Sequence, residues 1–149
     1  MMYYADLHLH SYYSRATSKN LNLEHLWLWA QLKGLDVVGT GDFVHPKWLN
    51  ELKEKLEPAE QGFFKLKPLF QKEVKKMLPS SCKRDVRFML TVEISNIYKR
   101  LERVRKVHNV ILASSFKAAE YIQAKLGAIG NIHSDGRPIL GLDSYDLLA

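Results

Sequence analysis

Six residues with side chains suited to binding metal ions or moving protons fall near the ends of predicted strands: His8, His10, Asp42, His45, Glu93 and His108. The first two stand two positions apart in Ala5-Asp6-Leu7-His8-Leu9-His10-Ser11. In a strand, alternate side chains share a face, so both imidazoles and Asp6 point one way while Leu7 and Leu9 bury on the other. Neutral imidazole is the commonest metal ligand, and two on one rigid strand lose little entropy on binding an ion. Each of the other four also has a plain explanation: Asp42 capping a turn, His45 a surface residue before Pro46, Glu93 paired with a nearby arginine, His108 an ordinary strand histidine. Taken together they form an imidazole and carboxylate set that suits Zn, Mn or Fe. A pair of such ions generates a nucleophile at neutral pH and neutralises charge on a phosphoryl oxygen, which makes phosphoester hydrolysis the natural chemistry. The single cysteine, Cys82, excludes an internal disulfide and a cysteine-type zinc cluster.

The elements that must position these residues follow from periodicity and punctuation. After the His-x-His strand, Tyr12 to Ser18 reads as a loop. Leu23, Leu26, Trp27 and Ala30 recur at helical spacing, with Asn22 able to cap the start and Gly34 the end. Leu35 to Thr40 is a short apolar run of the kind buried in a parallel sheet, which completes a βαβ unit with a right-handed crossover. Gly41-Asp42-Phe43-Val44-His45-Pro46 then stands at that strand's carboxyl end, the edge where ligands gather in such sheets. A helix is predicted from Pro46 to Leu56, a connection from Glu57 to Phe64, and a second helix from Leu66 to Leu78. Val86–Ile94 and Val107–Ala113 read as strands; a hairpin is the preferred connection between them, although one helical turn also fits the spacing. A helix from Ser115 to Leu126 is expected to stop at Gly127, residues 131–138 form a turn-rich loop, and Leu140–Leu148 suits another short helix.

A chain of 149 residues, 46% hydrophobic, is long enough for one domain with a sizeable core. It has no apolar run of membrane-spanning length and no signal-peptide pattern at its start, so no membrane association and a cytoplasmic location are expected. The net charge of +6 favours a polyanionic partner. The predicted hairpin concentrates that charge in Lys99, Arg100, Arg103, Arg105 and Lys106, which suit DNA phosphates, or simply a solvated face.

The order of motifs resembles the PHP (polymerase and histidinol phosphatase) superfamily, through Asp6-Leu7-His8-Leu9-His10-Ser11, Val38-Gly39-Thr40-Gly41-Asp42, Val92-Glu93-Ile94 and His108-Asn109-Val110-Ile111-Leu112-Ala113. The resemblance implies a distorted (β/α)7 barrel around a metal centre of two or more ions, usually Zn2+ or Mn2+. It implies His8, His10, Asp42, Glu93 and His108 as ligands, with Glu93 able to bridge two metals. The wording of Tyr4 to Ser11, Ser14-Arg15-Ala16-Thr17-Ser18, Gly39 to Phe43 and Ser134-Asp135-Gly136-Arg137-Pro138 is most similar to the endonuclease Q group, which nicks DNA 5′ of deaminated bases and abasic sites.

Three departures qualify the match. Ser14-Arg15-Ala16 stands where many members carry a ligand after the first motif, Asp42-Phe43 stands where Asp-His is common, and no late His-Pro or Asp-x-His motif follows Asp143. The expectation is therefore an α/β fold comprising the amino-terminal portion of the barrel, as one carboxyl-truncated domain over 1–149. Its open edge would associate with a second copy or with the missing carboxyl-terminal half. The expected function is a metal-dependent DNA-repair endonuclease, or a fragment of one, in which Asp42 or His45 orients water and Arg15 meets a phosphate. The alternatives are a small-molecule phosphatase of the histidinol-phosphatase type and a non-catalytic binding module.

Overall fold

The computed structural model describes residues 2–148. Three parallel strands, β1 (Ala5–Asp6), β2 (Val37–Gly39) and the start of β5 (Arg87–Arg100), lie side by side, with Asp6 opposite Val38 and Val38 opposite Phe88. Helix α1 (Leu23–Lys33) makes the first crossover. Asn22 Oδ1 accepts from the His25 amide at 2.9 Å, and Gly34 closes the helix at φ +75°, as the caps in the sequence require. Helix α2 (Pro46–Lys55) begins on Pro46 and buries Trp48, Leu49 and Leu52.

The Glu57–Phe64 segment is not a plain connection. It holds an antiparallel pair, β3 (Leu56–Pro58) and β4 (Phe64–Leu66), and β4 adds to β5 through Phe64 and Phe88. Three-residue strands, one ending in proline, carry too short a period to be read from sequence, and buried Phe64, Leu66 and Phe88 supply the driving force instead. Helix α3 is shorter than predicted, Pro68–Lys75, and a 3-10 turn follows at Ser80–Cys82.

β5 and β6 (Arg103–Ala113) form a long antiparallel hairpin, in register from Leu90 opposite Ala113 to Arg100 opposite Arg103. Both turn residues, Leu101 and Glu102, have positive φ, 50° and 58°. That is the type I′ geometry that matches strand twist in a two-residue loop. Helix α4 (Phe116–Ile129) runs through Gly127 and ends at Gly130, correcting the expected stop. A Cβ on Gly127 would approach Ile132 Cδ1 at 3.1 Å, so this glycine makes room for packing. The predicted helix over 140–148 resolves into β7 (Ile139–Leu140), parallel to β5, and α5 (Ser144–Leu148). Trp48, Phe43, Phe88, Leu23 and Leu90 fill the core. No helix among the described residues is long and apolar enough to cross a membrane.

Neither turn residue is the Asn or Gly that type I′ favours, and Leu101 is 85% exposed, so replacing it forfeits no packing. Leu101→Asn with Glu102→Gly is expected to stabilise the chain by about 1 kcal/mol, raising Tm by roughly 2–4 °C in thermal melts. An unchanged Tm would contradict the turn geometry.

Candidate metal centre

The site forms where β5 passes the segment that follows β1. Leu7 to His10 follow the two residues of β1 without strand pairing, so His8 and His10 sit on the segment just past that strand rather than on it as the alternation implied. Close packing holds this segment. A Cβ on Gly39 would lie 2.7 Å from the Leu7 carbonyl oxygen, and one on Gly41 would overlap the Leu9 carbonyl. The second motif is tied to β5 in turn: Thr91 Oγ1 accepts from the Gly41 amide at 2.9 Å, and Thr40 Oγ1 accepts from the Thr91 amide at 3.1 Å. Two residues further along β5 stands Glu93.

The Glu93 carboxylate is almost wholly buried and is surrounded by imidazoles. Its Oε2 lies 2.9 Å from His8 Nε2 and 3.1 Å from His10 Nε2, its Oε1 pairs with His108 Nδ1, and Arg137 Nη1 stands 3.8 Å from Oε2. His108 reaches it from β6, with Ser95 Oγ 3.3 Å from its Nε2. Burial alone would push the Glu93 pKa up; hydrogen bonds from His8 and His108 and the charge of Arg137 outweigh it, and the net shift is downward. The carboxyl is ionised at neutral pH.

Asp42 stands behind His10. Its Oδ1 is 3.2 Å from His10 Nδ1, while Oδ2 accepts from the Ser11 amide at 2.6 Å, the Ser11 hydroxyl at 2.7 Å and the Ser14 hydroxyl at 2.9 Å. Asp42 adopts φ +52°, a conformation a short polar side chain tolerates and one that commonly marks functional sites. With Nδ1–H donated to Asp42, the bare Nε2 of His10 faces an ionised carboxylate oxygen. Two acceptors at 3.1 Å need a cation between them, either a proton or a metal ion. The hydrogen bond to Asp42 accordingly raises the His10 pKa above 6.5 despite the opposing effect of burial.

His8, His10 and Glu93 offer ligand atoms all within 4.8 Å of one another, the donor set and spacing that suit a divalent ion. The other sequence candidates lie around this group. Asp42 orients His10 from behind, in the way a carboxylate supports a metal-bound histidine. His108 is joined to the far oxygen of Glu93. His45 is elsewhere: its Nε2–H donates to the His133 carbonyl at 3.0 Å, its ring stacks on Tyr13 at 4.3 Å, and burial lowers its pKa. Arg15 is 77% exposed and turns to Asp135, 3.6 Å away, leaving Arg137 as the arginine beside Glu93. The five basic residues occupy the exposed end of the β5–β6 hairpin.

Ser11, Ser14, Ser95 and Arg137 were not among the sequence candidates. Ser11 adjoins the His-x-His pair, and Ser14 and Arg137 lie within the Ser14–Ser18 and Ser134–Pro138 segments that carry the resemblance, while Ser95 has no such signal. Gly136 fixes the loop that carries Arg137, its amide donating to the Tyr13 carbonyl at 3.1 Å.

A mixed α/β sheet with helices, consistent with a partial barrel, brings imidazoles and a carboxylate to one edge, and solved structures share the fold. No family model matches the chain. The chain is similar to the lesion-specific endonuclease PfuEndoQ from Pyrococcus furiosus, with a TM-score of 0.75 and 30% identity, over 99% of this chain and 31% of that one. It is similar to endonuclease Q solved with a 27-mer duplex substrate carrying an abasic lesion at the active site, with a TM-score of 0.75, 31% identity and the same coverage. An uncharacterized protein of Methanocaldococcus jannaschii, MJ0043, is 49% identical over 49 residues, 33% of this chain and 6% of that one. The chain thus spans about a third of the solved endonucleases it matches.

A Cβ on Gly136 would overlap Asp42 Oδ2, the oxygen that three donors hold in place. Gly136→Ala is expected to cost about 1–3 kcal/mol in urea denaturation, as overpacking does in a rigid site. A loss under 0.5 kcal/mol would show that the loop is free to move away from Asp42.

Proposed function

We propose that the chain is the amino-terminal, metal-binding portion of a PHP-type barrel and serves a DNA-repair endonuclease that cuts a phosphodiester 5′ of deaminated bases and abasic sites. The observation that carries this reading is the convergence of His8, His10 and Glu93 in a chain that matches a lesion-specific endonuclease over 99% of its length. The order of sequence motifs supports it as well.

In this reading His8, His10 and Glu93 would hold a Zn2+ or Mn2+ ion, and His108, which also meets the Glu93 carboxylate, would help to hold a second. A bound divalent ion there supplies Lewis-acid polarisation of a phosphoryl oxygen and a nucleophile at neutral pH. The chain's own residues organise the reaction around it. Asp42 fixes the tautomer and orientation of His10, Ser11 and Ser14 fix Asp42, and Ser95 steadies His108. His45, neutral and buried, anchors the loop that carries Arg137 through the His133 carbonyl. Duplex DNA is the proposed partner, and the rest of the barrel is the proposed neighbour of the open β6 edge.

Two measurements test the reading. With Mn2+ or Zn2+, the 149-residue chain and a carboxyl-extended form are expected to nick duplexes containing deoxyinosine, uracil or an abasic site, and His8→Ala is expected to reduce nicking to background. Undiminished nicking in His8→Ala, or hydrolysis of phosphate monoesters without any cleavage of damaged DNA, would refute it. Metal affinity supplies the second test. Asp42→Asn is expected to lower it roughly 10–100-fold by calorimetry, as loss of an outer-shell carboxylate does.

The pH dependence of stability follows from His10. Its pKa is raised on folding, so in EDTA it contributes stability that is fully present below pH 6.5 and lost as pH rises through the folded-state value. Added metal stabilises in the opposite sense, because it competes with that proton and binds only the native site. The Tm gain from Mn2+ is therefore expected to grow from pH 6 to pH 8; a gain that shrinks over this range would contradict the ligand assignment.

A further inference from the structure

The ladder between β5 and β6 sorts the basic hairpin by face. Residues directly opposite in an antiparallel pair share a face, and alternate pairs point the same way. Glu93 with Val110, Ser95 with His108, Ile97 with Lys106, and Lys99 with Val104 therefore form one surface, which carries the metal-type site. Tyr98 with Arg105 and Arg100 with Arg103 belong to the opposite surface. That second surface is turned to the end of the chain: Asn96 donates to the Leu142 carbonyl at 3.0 Å, and the Arg100 guanidinium lies 5.8 Å over the Tyr145 ring. The cluster that reads as one basic run in the sequence is thus two groups facing opposite ways.

Arg137 lies at the head of the first group. Its loop is stitched to β5 by the Ser95 amide, which donates to the Pro138 carbonyl at 3.0 Å, and its side chain, 41% exposed, stands beside Glu93. From the Ser95–His108 row to the Lys99–Val104 row is four residues, about 14 Å along the ribbon. That length corresponds to roughly four nucleotides of axial rise along one DNA strand.

We infer that Arg137, Lys106 and Lys99 form a phosphate-binding lane that leads the DNA backbone across the metal site, and that Arg100, Arg103 and Arg105 take no part in it. The inference rests on the reading of the chain as a DNA-acting enzyme and goes further by naming which cations touch the backbone. Lys99 and Lys106 are exposed, so their charge is available to a polyanion.

Fluorescence anisotropy with a labelled duplex carrying one abasic site tests it, in EDTA so that metal contributes nothing, over a series of salt concentrations. Lys99→Ala, Lys106→Ala and Arg137→Gln are each expected to lower the slope of log K against log salt by about one, with Tm unchanged for the two lysine variants and lowered for Arg137→Gln, which also removes a partner of Glu93. Lys106→Arg is expected to keep the slope, and the triple substitution of Arg100, Arg103 and Arg105 by Ala is expected to leave it unaltered. A slope that falls as much for the outward arginines as for the inward set overturns the lane while leaving the endonuclease reading intact. Absence of any salt-sensitive duplex affinity in the unmodified chain overturns both.

Discussion

A carboxylate taken out of water must be neutralised, and Glu93 sets that condition for the whole molecule. Desolvating an ionised group without partners is very costly, so the fold has to deliver cationic or hydrogen-bonding groups to both of its oxygens. They come from separate parts of the chain: His8 and His10 from the segment past β1, His108 from β6 and Arg137 from the loop before β7. None is adjacent to Glu93 in sequence. The tertiary structure is thus committed to a fixed arrangement around one side chain, and this is also what readies the group for a divalent ion.

The support behind that arrangement is as closely specified as the ligands. Asp42 meets four donors with two oxygens, and the turn after β2 that presents it is tied to β5 through Thr40 and Thr91. Trp48 Nε1 donates to the Gly41 carbonyl at 2.9 Å, anchoring the same turn from helix α2. Close approach is allowed by small residues: Gly39 and Gly41 pass against the Leu7–Leu9 backbone, and Gly136 seats its loop on the Asp42 carboxylate. Buried polar networks of this kind are costly when any member is missing and rigid when all are present.

Much of this was legible in the sequence. The βαβ unit, the caps of α1, the proline start of α2 and the β5–β6 hairpin follow from local patterning, and Glu93 and His108 stood out as ligand types in apolar strands. Other features depend on contacts that local patterning does not encode. β3 and β4 exist because Phe64 and Leu66 bury beside Phe88, and α4 runs past Gly127 because Ile132 fills the space left by the missing side chain. The relation of Asp42 to His10, and of Arg137 to Glu93, spans loops whose paths are set by tertiary packing. The basic run illustrates the limit best: its charges are visible at once, but their separation into two faces requires the register, which a turn lacking Asn-Gly leaves unsigned.

The hairpin's length has a mechanical consequence. β7 pairs with β5 only at Ser95 and Asn96, so beyond that point the ladder described here has two strands, and two-stranded ribbons twist more freely than wider sheets. His108 lies opposite Ser95, at the root of this arm, whereas Lys99 and Lys106 lie along its free length. The separation of His108 from Glu93 is therefore set by a braced part of the sheet, while the reach of the lysines varies with the twist of the ribbon. The molecule combines a fixed reference point at the arm's base with a compliant end, so that thermal bending of the arm alters what its tip can touch and leaves the geometry around the buried carboxylate unchanged.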